Sequence, residues 1–440
     1  MATPLYDTLR RAAEENLLRL DMPGHHGLPL PVETLADTSV DFTENGRTGD
    51  LFGEEYDAIA EAEELWAKRF GFDSCLFLTG GSTQGNHTAL ALLAGTGSAV
   101  AVDRGSHRSV YHAMALLDLT PRYLSRPWLE EEGIPGPISP DEVENLLTSA
   151  PEIHTVCITS PTYYGVLSDI PALARVCHAH GARLMVDGAH GAHLPFLGYE
   201  GYRAADAVIM SAHKTLPALG QTALLFANGY DLPALKRMGS VYGSSSPSYL
   251  LMASLDMTRD WMEREGATAY TNTVKIVENF RKDFPALTSA RVNLDPARLV
   301  ISCGDGFAVE EELRRRGICP EMADAAHVVF IFTAADGKEQ AARLRAALED
   351  ILPAYPPCSG REDLTPPPPP EPVISLRKAL FASTRRGDLF ESEGEIAAQQ
   401  VAPYPPGIPV IAPGERIEKK HLAYLRRIGY NTREIELFDR

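Results

Sequence analysis

Six short apolar runs within residues 75–227, most of them separated by stretches of helical period, limit the folds open to this chain. They are Cys75–Leu78, Ala99–Val102, Ile153–Ile158, Leu184–Asp187, Ala207–Met210 and Thr222–Ala227. Helix-like stretches such as Thr83–Leu93, His107–Leu117 and Ile170–His180 lie between them. Strands that alternate with helices predict an α/β fold with a mainly parallel sheet. One connection breaks the rhythm. Between Met210 and Thr222 there is too little chain for the helical crossover that a parallel pair needs, and it contains Pro217 and Gly220. The last run is therefore expected to lie antiparallel to its neighbours.

The flanks read differently. Residues 5–20 have the pattern of an amphipathic helix in an N-terminal arm, followed by a loop at Asp21–Gly27. Glu54–Phe70 is expected to be helical, with Ile59, Leu65, Trp66 and Phe70 as apolar positions and Gly71 as its stop. Beyond residue 265, strand candidates Arg298–Ser302 and Val328–Phe332 flank helices near Val309–Arg316 and Gln340–Asp350, which predicts a smaller α+β domain. Pro366–Pro370 and the prolines around it form a stiff spacer. Val401–Val410 is an extended Pro-rich stretch that leads to a helix near Lys419–Arg427. The expected division is an N-terminal arm with an active-site loop over residues 1–50, a large domain over 51–264, and a C-terminal part over 265–440 with its spacer near 353–372.

Composition excludes some functions. The chain has 41 basic and 59 acidic residues and a formal net charge of −18, which argues against nucleic acid and fits a cationic small molecule. No apolar run approaches the ~18–20 residues of a membrane span, and the N-terminus lacks the apolar stretch of a signal peptide. The six cysteines are scattered without zinc or disulfide spacing, as expected of a cytoplasmic protein.

Four constellations carry chemistry, each at the end of an apolar run. Gly80–Gly85 (Gly-Gly-Ser-Thr-Gln-Gly) opens a helix, where free amides and the hydroxyls of Ser82 and Thr83 suit an anion; a plain cap at Ser82 is the alternative. The sequence fits neither a dinucleotide fingerprint nor a P-loop. His107 could stack on a planar ligand or act as an acid. Asp187 ends a buried run and is followed by His190 and His193. These three could bind a metal, or Asp187 could pair with a protonated ring nitrogen, or it could cap a turn. Lys214 follows Ser211 and His213 with no carboxylate near it in sequence. Burial lowers the pKa of a lysine, and a neutral amine condenses with a carbonyl. Pyridoxal phosphate would use all four contacts, whereas a metal leaves Lys214 and the glycine turn unexplained.

Ser211–Gln221 (Ser-Ala-His-Lys-Thr-Leu-Pro-Ala-Leu-Gly-Gln) resembles the signature of the ornithine/lysine/arginine decarboxylases, bacterial fold-type-I pyridoxal phosphate enzymes. Met22–His25, Gly81–Thr83, Ser160–Gly165, Ser244–Asp256 and Pro403–Pro409 are similar to further motifs of that family, in the same order. The resemblance spans nearly the whole chain and matches a short form without an N-terminal regulatory domain. It implies that Lys214 forms a Schiff base with pyridoxal 5′-phosphate, that Asp187 holds the pyridinium nitrogen and that His107 stacks on the ring. It also implies that Ser82, Thr83, Gln84, Ser211 and His213 hold the phosphate, with Ala189 and His190 beside the cofactor. Ser245 is expected to reach the partner's phosphate across a homodimer interface. The implied reaction is decarboxylation of arginine, lysine or ornithine, with Lys214, His213 or His107 returning the proton. Glu321, and after it Asp324, are the candidates to hold a cationic substrate end. Transamination, a lyase reaction, or a cofactor-binding paralogue without turnover are the alternatives.

Overall fold

The computed structural model describes residues 18–20, 42–44, 48–290, 292–357, 365–403 and 408–439. The loop at Asp21–Gly27 and most of the expected N-terminal helix lie outside them. Where that helix was expected to end, the chain is extended instead. Leu18–Leu20 is a strand, β1, and it pairs in parallel with Ile318–Pro320. Leu18 and Leu20 are buried and Arg19 points outward, a period of two that three residues at the edge of a helical pattern could not reveal.

The helix expected over Glu54–Phe70 starts four residues later, at Ala58, and ends at Phe70 as expected. Asp57 caps it by accepting hydrogen bonds from the amides of Ile59 and Ala60, each 2.9 Å long, and Gly71 ends it in the left-handed region. Leu65, expected on the apolar face, is exposed, and Glu63 is buried in its stead.

The central sheet is built from β2 (Ser74–Leu78), β3 (Ala99–Asp103) and β4 (Thr120–Leu124), followed after a short hairpin of β5 (Trp128–Leu129) and β6 (Ile134–Pro135) by β7 (Thr155–Thr159), β8 (Arg183–Asp187), β9 (Ala207–Met210) and β10 (Ala223–Ala227). The order across it is β2-β10-β9-β8-β7-β3-β4. β10 runs antiparallel to both β9 and β2, as the short connection requires, and the other pairs are parallel. β2, β9 and β10 are buried at every position because helices cover both faces. β4 was not expected: Thr120–Leu124 alternates exposed and half-buried residues at the sheet edge, so it carries no apolar run.

The second region adds β11 (Arg298–Ser302), β12 (Ile318–Pro320), β13 (Met322–Ala323) and β14 (His327–Ile331), with helices Gly306–Arg315 and Lys338–Ile351. It has a separate core of Val277, Leu299, Val309, Phe330, Leu344 and their neighbours. The C-terminal stretch pairs β15 (Thr384–Asp388) with β16 (Glu434–Phe438) beside the helix Lys419–Arg427 and packs around Leu389, Ile411, Leu422 and Leu437. The proline spacer lies on that helix, its Pro368 carbonyl accepting from His421 Nε2 at 2.9 Å. No helix among the described residues is long and apolar enough to cross a membrane.

Candidate active site

The carboxyl ends of β3, β7, β8 and β9 open into one cleft of about 630 Å³, the place where open α/β sheets bind ligands. His107, Tyr163, Asp187, His190 and Lys214 line it, and Gln400, Ala402 and Ile408 close it from the C-terminal stretch.

Lys214 follows β9 on a single helical turn, Ala212–Thr215. Its Nζ lies 3.1 Å from His190 Nε2 and 5.9 Å from the centre of the Tyr163 ring. Burial pushes the amine below the ordinary lysine value; Asp187 and Glu321 oppose the shift and Arg298 adds to it. Asp187 ends β8 and is almost fully buried. Its Oδ2 accepts from Asn86 Nδ2 at 3.0 Å and its Oδ1 from the amide of Ala189 at 3.2 Å. The Asn86 amide also donates to Ser109 Oγ at 2.9 Å, so one side chain on the helix Gly81–Ala94 ties the end of β8 to the first turn of the helix Arg108–Leu117.

His107 caps the helix Arg108–Leu117, its Nδ1 accepting the Ser109 amide at 3.2 Å. The residue lines the cleft and is itself exposed, and partial loss of hydration is the largest influence on its ring. With Lys214, Arg108 and His112 adding to it, and Asp187 opposing, the pKa falls to about 4. A neutral ring with one free face suits stacking. His190 is buried, packs on Tyr163 with ring centres 4.5 Å apart, and is held well below the ordinary histidine value by burial and by the cations Lys214 and Arg298.

The polar groups around the cleft fit pyridoxal phosphate. Ser211 Oγ is buried at the start of the Lys214 turn and has no hydrogen-bond partner among the described residues; the same holds for Thr215 Oγ1. Buried hydroxyls left so are uncommon, and a phosphate oxygen would satisfy one. Ser82 lines the cleft near the start of the helix Gly81–Ala94, where Gly81 sits at φ +70° and turns the chain so that the first helical amides are free.

Other expected residues lie elsewhere. Ser82 is not the cap; that position is Gly80, which has no side chain to cap with. Thr83 is exposed. Gln84 turns away from the cleft, its Oε1 accepting from the Gly80 amide at 2.9 Å and its Nε2 reaching the Gly239 carbonyl at 3.4 Å. His213 Nδ1 donates to the Thr222 carbonyl at 2.8 Å, which pins the turn to the start of β10. Ser245 is exposed and does not line the cleft of its own protomer. Glu321 is half-buried and close enough to act on the Lys214 charge. Asp324 is occupied: it accepts from Tyr164 Oη at 2.6 Å and from the amides of Ala326 and His327. His193 is separate from Asp187 and His190, bound to Asp295 at 2.9 Å and stacked on Tyr270. Among the described residues no cluster of His, Cys, Asp or Glu could hold a metal.

Sequence reasoning missed Asn86, Tyr163, Arg298 and the wall residues Gln400, Ala402 and Ile408 as parts of the site. Tyr163 lies in the Ser160–Gly165 motif and Arg298 begins a strand that the sequence predicts. Neither has a sequence neighbour that points to chemistry.

Comparison with known proteins gives a consistent result. Residues 3–301 match the family model described as Orn/Lys/Arg decarboxylase, major domain, and residues 369–435 match the Orn/Lys/Arg decarboxylase, C-terminal domain. An uncharacterized protein, YaaO, of Bacillus subtilis (strain 168) is 29% identical over 459 residues, covering 97% of this chain and 94% of its own length. The arginine decarboxylase of the same organism is 28% identical over 460 residues, covering 96% of this chain and 93% of its own. The crystal structure of the Francisella novicida lysine decarboxylase superposes with a TM-score of 0.75 at 20% identity, over 89% of this chain and 73% of that one, a likeness of fold.

Proposed function

The chain belongs to the Orn/Lys/Arg decarboxylase family, and from that premise we propose that it is a pyridoxal 5′-phosphate-dependent carboxy-lyase acting on a basic amino acid. Arginine, lysine or ornithine loses its α-carboxylate as carbon dioxide and leaves as the corresponding amine. The observation that carries the reading is the meeting of Lys214 and Asp187 in one cleft at adjacent strand ends.

When bound, pyridoxal phosphate supplies a protonated conjugated ring that takes up the electron pair of the broken carbon–carboxylate bond. Lys214 offers an amine that burial favours unprotonated, the form able to attack an aldehyde. Asp187, held by Asn86 and the Ala189 amide, presents a fixed negative charge to the ring nitrogen and keeps a proton there. His107 packs its neutral ring against the cofactor. Ser82, Ser211 and the first amides of the helix Gly81–Ala94 hold the phosphate. Of the three candidate proton donors, Lys214 and His107 face the cleft, whereas His213 is tied to the Thr222 carbonyl. Lys214 and His107 are therefore the two groups placed to carry a proton to the α-carbon.

Glu321 attracts the distal cation of the substrate, since Asp324 already serves Tyr164 and its own turn. The arm (1–50), the cofactor domain (51–264) and the C-terminal part (265–440) form a cytoplasmic homodimer in which Ser245, exposed in its own protomer, reaches the phosphate of the other site.

Purified protein with pyridoxal phosphate should release one carbon dioxide and one amine per basic amino acid consumed. A keto acid without carbon dioxide would place the reaction among the aminotransferases instead. Glu321→Gln should raise KM for the basic substrate by roughly tenfold or more with a smaller change in kcat, the pattern of a lost charge-assisted contact.

A further inference from the structure

Behind the cleft, a line of buried groups runs from the second region to the reactive amine. Asp295 and Arg298 are each about 1% exposed, and Arg298 Nη2 lies 3.8 Å from Asp295 Oδ2. Asp295 is fixed in turn by His193 at 2.9 Å and the amide of Ala297 at 2.9 Å. Arg298 Nη2 lies 3.4 Å from His190 Nδ1, and His190 Nε2 lies 3.1 Å from Lys214 Nζ. The backbone makes room for this line at Gly165, where a Cβ would meet Arg298 Cβ at 2.8 Å.

We propose that Arg298 locks His190 in the tautomer that carries its proton on Nε2, and that this N–H, donated to Lys214, keeps the lysine amine unprotonated. The proposal rests on the reading of Lys214 as the cofactor lysine. A guanidinium has only donors, so the nitrogen facing it must offer a lone pair. A neutral imidazole has one proton, which is then on Nε2. An ammonium at Lys214 would set two donors against each other at 3.1 Å, whereas a neutral amine accepts. An imidazolium would set its Nδ1–H against the guanidinium donors, and burial of His190 and the Arg298 charge disfavour it further. The other charged or titratable groups that act on Lys214 and His190 are Asp187, Glu321, His107 and His213. Asp187 and Glu321 pull Lys214 toward its charged form, so the Nε2–H contact works against both. Arg298 and His190 are positioning residues here; Lys214 does the chemistry.

The test uses the full chain with its cofactor removed. Nitrogen-15 NMR of labelled histidines, with His190 assigned by its loss in His190→Gln, reads which ring nitrogen is protonated. A neutral Nε2–H ring from pH 5 to pH 9 is expected. A proton on Nδ1, or an imidazolium at pH 6, would overturn the proposal, and this measurement needs no substitution at Arg298. Separately, reductive methylation by formaldehyde and cyanoborohydride, quantified on the Lys214 peptide by mass, gives the pH at which the amine is half reactive. Arg298→Met should raise that midpoint by about one pH unit. Adding His190→Gln, whose amide donates without help from Arg298, should bring it back toward the native value. An unchanged midpoint in the single variant, or a midpoint still raised in the double variant, would contradict the relay, the latter because the Arg298 charge alone would then account for it. Failure of Lys214 to bind pyridoxal phosphate would instead strike at the assigned function and would leave the methylation result standing.

Discussion

At the scale of single residues, the site depends on side chains that hold other side chains. Asn86 uses both amide hydrogens, one on Asp187 and one on Ser109, inside a region closed to water. Removing a donor there leaves a carboxylate oxygen without a partner, which costs about 1–3 kcal/mol. Asn86→Ala should lower the thermal midpoint accordingly and weaken pyridoxal phosphate binding by roughly tenfold, read by titration of the cofactor's visible band. Undiminished affinity would mean that Asp187 does not need Asn86 to face the ring. That Lys214, Asp187 and His107 would meet in one cleft was legible in the sequence, because each follows an apolar run that becomes a strand of the central sheet. Asn86 and Arg298 were not, because their roles come from partners 101 and 108 positions away along the chain.

At the scale of elements, the helix Ala58–Phe70 carries a titratable liability. Glu63 is fully buried; its Oε1 accepts from the Phe77 amide at 2.8 Å, and its Oε2 has no partner among the described residues. Burial raises its pKa to about 8, against opposition from the Phe77 amide and Lys236. The folded state thus keeps a proton that the unfolded chain loses near the ordinary glutamate value. Stability from this group is whole below about pH 4.5 and is lost as pH rises toward about 8. Glu63→Gln cannot titrate, so its thermal midpoint, compared with the native protein's, should gain several degrees on going from pH 5 to pH 8.5. Parallel pH profiles would count against a buried, protonated Glu63. Elements with a strong period were readable in advance, including the reversed direction of β10. β4 escaped because it carries no apolar run, and β1 because three residues are too few for a period to show.

At the scale of the whole molecule, the C-terminal stretch is clamped to the cofactor domain beside the cleft. Arg104, after β3, makes a bidentate pair with Glu415 at 2.5 and 2.9 Å and donates to the carbonyls of Pro409 and Val410. Glu415 also accepts from the amide of Ala412. This clamp seats the segment that brings Gln400, Ala402 and Ile408 to the cleft wall. Breaking one partner of a buried pair costs about 3–5 kcal/mol. Arg104→Ala should therefore destabilise the protein by that order and raise KM for the amino acid. Glu415→Ala should do the same, and the double variant should be far less than additive. Full additivity would show that the two residues act separately.

The central claim is that one lysine of this chain carries the coenzyme of a decarboxylase. Borohydride reduction of the purified protein with pyridoxal phosphate, followed by peptide mass mapping, tests it most directly. The account predicts a single stoichiometric adduct on Lys214, and loss of both the adduct and amine production in Lys214→Ala. An adduct on another lysine, or turnover that survives that substitution, would contradict it.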